Sequence, residues 1–264
     1  MNPAVLLRVA YLLYQIGADL QKRDDTGSSG SLSSPLIPPM PGEVYISSRV
    51  KVEVRCRRMQ QNTLSGDGSI SGRLERIRVF GAKYTPDQDH DEQVMKNALM
   101  LFDQLAPLHG LSGEERFLLQ AAAILHDIGW SQPDAAHNKT GARMVRADTS
   151  LPLKRDEREI IALLIRYHRK TPPSLRQRRF AELNQGDRER VQKLASLLRI
   201  SDALDRSHQS LVDTITATIG GDEVILHCSS RSEGYPECEY ALERSDLFTA
   251  LFSREVVIDW RVTP

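Results

Sequence analysis

No excess of either charge is present in this chain: Lys+Arg and Asp+Glu both total 35. Without a global field to draw in a polyanion, any affinity for phosphate or nucleic acid must rest on a local patch. Aromatic residues are scarce, 6% of the whole, and they do not interleave the basic ones. That argues against binding single strands by base stacking, and DNA is not an expected partner. The three cysteines, Cys56, Cys228 and Cys238, lack zinc-site spacing and are too few to staple a fold. A reducing, cytoplasmic setting is therefore expected. No uninterrupted apolar run is long enough to span a bilayer, so no membrane association is expected. The apolar stretch Ala4–Ile16 is broken by Arg8, follows no basic residue and precedes no clear cleavage site. No nucleophile-elbow motif supports a catalytic Ser or Cys.

What is present is an ordinary globular mixture, 40% apolar and 27% charged over 264 residues, enough to bury a core. Val5, Leu6, Val9, Leu12, Leu13 and Ile16 share one face of a short helix, placed at 1–22. Residues 23–43, rich in Gly, Ser and Pro, read as a disordered linker. Residues 44–72 hold a strand pattern, Val50 to Cys56, and a loop, SGDGSISG at 65–72. From 73 to 208 the periodicity is helical. From 209 to 264 it predicts two strands, LVDTITATI and EVILHCSS, turning at Gly220-Gly221-Asp222. A helix over 238–252 and a strand over 255–262 complete a ββαβ unit. The fold class is therefore mainly α, a helical bundle followed by a small α+β C-terminal unit.

The informative residues are polar side chains on apolar helix faces. His90 begins the stripe Val94, Ala98, Leu101, Leu105. FLLQAAAILHDIG is a largely apolar helix ending in His126-Asp127, with Gly129 a plausible stop. His168 shares a face with Ile161 and Leu164, and Asp202 shares one with Val191, Leu194 and Leu198. A single such histidine is more often a hydrogen-bonded core residue, and for Asp202 alone Arg199 or Arg206 could serve as a salt-bridge partner. An unpaired buried carboxylate, however, costs several kcal/mol (roughly). One divalent cation would satisfy all these groups together, as in helical bundles that hold metals between facing helices.

These residues resemble the H…HD…D signature of HD-domain metal-dependent phosphohydrolases. The strings LFDQL, HGL, LHDIG, HNKTGA, RYHRK and LLRISDALDRSH narrow the resemblance. They are similar to the HD region at the C-terminal end of the exopolyphosphatase/guanosine pentaphosphatase (Ppx/GppA) family, from about Leu74 to His208. The resemblance implies a divalent metal (Mn, Fe, Zn or Mg) held by His90, His126, Asp127 and Asp202, with His137 and His168 as candidates for a second ion bridged by Asp127. Two histidines common in the family are missing from His137-Asn138-Lys139-Thr140-Gly141, which favours one ion. The family's actin-like half, with its Gly-rich phosphate loops, has no counterpart in residues 1–70.

The chemistry implied is attack of an activated water on phosphorus. Catalytic roles fall on Asp127, Lys139 and Arg169, and phosphate contacts on Lys139, Arg143, Arg166, Lys170 and Arg206. Asp205 is either an orienting group or a salt-bridge partner. The basic run Arg166–Arg179 is either a rim for a polyanion or a solvated loop. His109, His208 and His227 are read as structural. Two functions stay open: an exopolyphosphatase-like hydrolase acting on polyphosphate or a nucleotide, and a non-catalytic module that binds such anions or forms a homodimer.

Overall fold

The computed structural model describes residues 68–132 and 136–263. The helix expected at 1–22, the linker at 23–43 and the strand at Val50–Cys56 lie outside the described residues. Described structure opens with Ser69, whose side chain accepts the Gly72 amide (3.1 Å) and so caps a helix, α1, Ile70–Gly81. The expected loop at 65–72 is thus corrected: a serine able to cap turns its last three residues into helix.

The bundle continues as α2 (Gln88–Gln104), α3 (Ala106–His109), α4 (Gly113–Leu125), a 3-10 turn (Ile128–Ser131), α5 (His137–Ala147), α6 (Arg155–Tyr167), α7 (Arg178–Ala181) and α8 (Gln185–Ala203). Helix α4 is buried almost throughout, from Phe117 to Leu125 except Gln120, and packs against α1, α2, α6 and α8. The three consecutive alanines Ala121–Ala123 let those neighbours approach. The α2 stripe Val94, Ala98, Leu101 and Leu105 is fully buried, as its spacing predicts. Among the described residues no helix is long and apolar enough to cross a membrane.

The period change after residue 209 corresponds to β1 (Val212–Ile219), β2 (Glu223–Ser230), α9 (Tyr235–Arg244), α10 (Asp246–Phe252) and β3 (Glu255–Val262). Strands β1 and β2 form the expected hairpin, closed by the Gly220 amide donating to the Glu223 carbonyl (2.8 Å). β3 lies parallel to β2 on its other edge, so the sheet order is β1-β2-β3. Val224, Leu226, Cys228 and Ser230 alternate inward. The single helix expected over 238–252 is two, divided where the Ser245 hydroxyl donates to the Leu242 carbonyl (2.7 Å). Cys228 and Cys238 are both buried free thiols.

Buried polar groups join the helices to this unit. Gln93 donates to the Val212 carbonyl (2.7 Å), and the Ser207 amide donates to Glu237 (2.9 Å). Arg199, 1% exposed, donates to the carbonyls of Tyr167 and Lys170 (3.4 and 3.3 Å) and to Asp246 (2.8 Å). It is therefore committed elsewhere than to Asp202, the partner its position on α8 allows.

Gly129 does not end a helix. α4 already ends at Leu125, with His126 as its cap. A Cβ on Gly129 would stand 1.9 Å from the His137 carbonyl and 2.7 Å from the Gly141 amide. The glycine is needed because the 3-10 turn and the first turn of α5 touch through their backbones. Gly129→Ala is expected to cost about 1–3 kcal/mol in urea denaturation, the scale of an overpacked core. Gly221→Ala, whose Cβ would meet nothing within 4 Å, is the control expected to stay near zero.

Candidate metal centre

Five helix ends converge on one buried point. His90 lies in the first turn of α2 and His137 opens α5. His126 caps the C-terminus of α4, His168 caps that of α6, and Asp202 is in the last turn of α8. Asp127 follows His126 directly. C-terminal helix ends present unpaired carbonyls and a partial negative charge, a setting that favours cations.

Those carbonyls also set the histidine tautomers. His126 Nδ1 faces the Ala123 carbonyl at 2.7 Å, and His168 Nδ1 faces the Ile165 carbonyl at 2.8 Å. A carbonyl only accepts, so each Nδ1 carries a proton and donates it. Each Nε2 is then directed into the cluster. His90 is held likewise: its Nδ1 lies 2.8 Å from Asp205, which also accepts the Ser210 amide (2.7 Å). Asp205 thus orients a ring, and the salt bridge to Arg206 is not formed.

The converging atoms make two groups, His90–His126–Asp202 and Asp127–His137–His168. In the first, Nε2 of His90 and Nε2 of His126 are 3.3 Å apart and stand 3.5 and 3.7 Å from Asp202 Oδ1. In the second, Nε2 of His137 and Nε2 of His168 are 3.3 Å apart and stand 3.5 and 3.6 Å from Asp127 Oδ1. Asp127 turns its other oxygen, Oδ2, to His126 Nε2 at 3.6 Å. One carboxylate therefore faces both groups.

The donors fit metal ions. Two atoms each about 2.1 Å from one ion at a tetrahedral angle lie about 3.4 Å apart, close to every spacing above. Asp127 Oδ1 is buried and has no hydrogen-bond partner, the mark of an oxygen placed for something other than a proton donor. The resemblance favours one ion because HNKTG is short of histidines. The geometry instead provides a second complete triad, since His168 and Asp127 supply what that string lacks.

In the protein alone, protons take the place of cationic charge. Burial opposes protonation of His90, but hydrogen bonds to Asp202 and Asp205 overcome it and raise it to about 9. Burial likewise opposes a charge on His126, and Asp127, Asp202 and Asp91 raise it to about 10. Burial disfavours the charge on Asp202 too, yet hydrogen bonds from His126 and His90 hold its carboxyl well below the usual range. Burial pushes His168 down to about 3 and also lowers His137, so the second group holds neutral rings.

Of the cations expected to act in catalysis or on phosphate, Arg169 reaches the cluster, with Nε 3.9 Å from Asp202 Oδ2. Lys139 and Lys170 are exposed beside His137 and His168. Three are turned to other tasks. Arg143 donates to Gln132 (2.8 Å), Arg166 leans over the Tyr167 ring (5.8 Å), and Arg206 covers Tyr240 (4.4 Å). Among the described residues, these three form no ion pair with a cluster carboxylate. The run Arg166–Arg179 is partly neutralised, Arg178 by Glu182 (2.7 Å) and Arg179 by Glu159 (3.8 Å).

Three residues escape a reading of the sequence. Asp91 is buried, is pushed up to about 6 by burial, and has Oδ1 3.5 Å from His126 Nδ1. Its signal is its spacing, three before Val94 and seven before Ala98. Trp130 lies parallel to the His137 ring, centroids 4.2 Å apart. His208, read only as structural, lies beyond the end of α8 at Ala203, stacks on His90 at 3.8 Å and pairs with Asp87 at 2.9 Å. No local pattern marks either stack. His109 is structural as expected, bonded to the Phe102 carbonyl (2.8 Å), as is His227, bonded to Asp259 (2.7 Å).

Residues 73–249 match the family model described as Ppx/GppA phosphatase, domain III. A search of curated proteins finds no match to the chain.

The shifted histidines give the metal-stripped protein a two-sided pH profile. His90 and His126 are raised above 6.5, so their stabilisation is complete below that pH and disappears as pH climbs through about 9 and 10. His168 is lowered, so its contribution is present above 6.5 and is lost as pH falls toward about 3. Calorimetric melting of chelator-treated protein is expected to peak near neutrality and fall on both sides. Added metal should displace the protons and raise Tm most on the alkaline side.

Proposed function

The chain belongs to the Ppx/GppA phosphatase family, and we propose that it is a metal-dependent phosphohydrolase that cleaves phosphoanhydride or phosphoester bonds, exopolyphosphatase-like, in a polyphosphate or a nucleotide. One observation carries this reading: two buried His/Asp triads lie side by side, and Asp127 of the second has a buried oxygen with no hydrogen-bond partner. The imidazole-rich donor set suits Mn, Fe or Zn better than Mg. A divalent ion bound there supplies Lewis acidity, acidifying water and polarising a phosphoryl oxygen.

The chain's own residues do the rest. Asp127 offers one oxygen to each triad, which sets the distance between the two groups. Asp205 and the carbonyls of Ala123 and Ile165 keep the rings from turning. Hydrolysis joins a water oxygen to phosphorus, breaks the bond to the leaving oxygen and spreads negative charge over the remaining oxygens. Arg169, half-buried beside Asp202, is positioned to meet that charge. Lys139 and Lys170 at the rim attract the remainder of an anionic chain.

Two variants test the proposal. Asp127→Asn keeps the shape of the side chain and removes its charge. It should lower metal content, read by elemental mass spectrometry, and lower phosphate release at least about 100-fold. Release at the wild-type rate from folded Asp127→Asn protein would place the chemistry elsewhere. Arg169→Ala should retain the metal and lose about 100-fold in kcat. Folded wild-type protein that takes up no metal and releases no phosphate would favour the binding module instead.

A further inference from the structure

Trp130 is an unusual surface residue. It is 46% exposed, yet its indole is fixed. One face lies on the His137 ring, 4.2 Å between centroids and 11° from parallel. Among the described residues no other ring lies against it. The turn that carries it is fastened at three points. Gly129 abuts the backbone of His137 and Gly141, the Ser131 hydroxyl donates to the Ile128 carbonyl (2.8 Å), and Gln132 accepts Arg143 (2.8 Å). A large aromatic surface held rigid in water contributes little to folding beyond its one buried face. Rigid, half-open aromatic rings are what planar ligands stack on, because little freedom is lost when they bind.

Position narrows the ligand. The first face of the indole rests on a ring of the second triad, so anything on the second face is about two ring thicknesses from the centre. His137 itself belongs to the triad Asp127–His137–His168, so the indole stands directly against the proposed phosphate-cleaving centre. A ligand that reaches both the indole and that centre joins a flat aromatic ring to a short anionic chain.

We infer that the open face of Trp130 is a subsite for the base of a nucleoside 5′-polyphosphate, making this residue a determinant of specificity between base-capped and bare phosphate chains. The inference rests on the phosphohydrolase reading for the place of the phosphates, and its test reads binding without turnover. The full chain, metal-loaded and carrying Trp260→Phe, leaves Trp130 as its single tryptophan. The probes are a non-hydrolysable nucleoside triphosphate analogue and inorganic tripolyphosphate, which share a phosphate chain and differ in the nucleoside. The analogue should quench Trp130 fluorescence and bind about 10- to 100-fold more tightly than tripolyphosphate, the usual worth of one stacked base. In calorimetry, Trp130→Ala should bring that ratio to about one, and Trp130→Phe should restore much of it, with metal content measured in each.

Equal affinities in the wild type overturn the subsite, as does absence of analogue binding. So does a Trp130→Ala variant that weakens both probes alike, which would make the indole a support for His137 alone. Trp130-dependent binding in a protein that hydrolyses nothing keeps the subsite and removes the hydrolase. Hydrolysis of bare and base-capped chains with equal affinity does the reverse.

Discussion

Two carboxylates and four imidazoles share a largely buried space at the meeting of five helix ends, and this is tolerable only with positive charge among them. Asp127 and Asp202 are mostly buried, and one oxygen of Asp127 has no hydrogen-bond partner. An isolated buried carboxylate is among the costliest groups a fold can carry. In the protein alone His90 and His126 hold protons that neutralise it, while His137 and His168 remain neutral. The asymmetry is informative. The first triad already behaves as though a cation were present, and the second presents lone pairs that no proton occupies.

Everything around the cluster serves its geometry. Helix α4 runs through the centre because nearly all its side chains are apolar, and its end delivers His126 and Asp127 together. The carbonyl three residues before His126 and the one three residues before His168 choose the ring nitrogen that faces inward. This arrangement needs a histidine at the helix cap and nothing more from the sequence, so the same local solution appears twice. The backbone contact at Gly129 holds α5, and with it His137, at the required distance. Most donors stand at ends of packed helices, so helix packing rather than loop conformation sets their spacing.

Much of this was legible in the residues. Apolar stripes marked α2, α4, α6 and α8, and polar intruders on those stripes marked His90, Asp202 and His168. The hairpin was legible because Gly220 and Gly221 separate two alternating runs. Other features depend on contacts between segments distant in the chain, which periodicity does not encode. Gly129 reads as a helix stop in sequence and is a point of backbone contact in space. Arg143, Arg166 and Arg206 stand near the proposed ligands along the chain, but their side chains leave for Gln132, Tyr167 and Tyr240. The missing histidines of HNKTG argue for one ion only when that string is counted alone. Asp91 was visible by spacing and was masked by the histidine beside it.

Arg199 has a consequence for how this chain can be divided. Its guanidinium sits in the helical part, fastens the carbonyls of Tyr167 and Lys170 on either side of His168, and reaches across to Asp246 in the C-terminal part. Gln93 and Glu237 make crossings of the same kind, in both directions. The change of architecture near residue 209 is therefore visible in the fold without being a seam. An exchange of modules at that point, in nature or by design, would leave polar groups on both faces of the cut without partners. The helical and mixed halves must then change together or not at all, and the small sheet is inherited along with the histidine cluster.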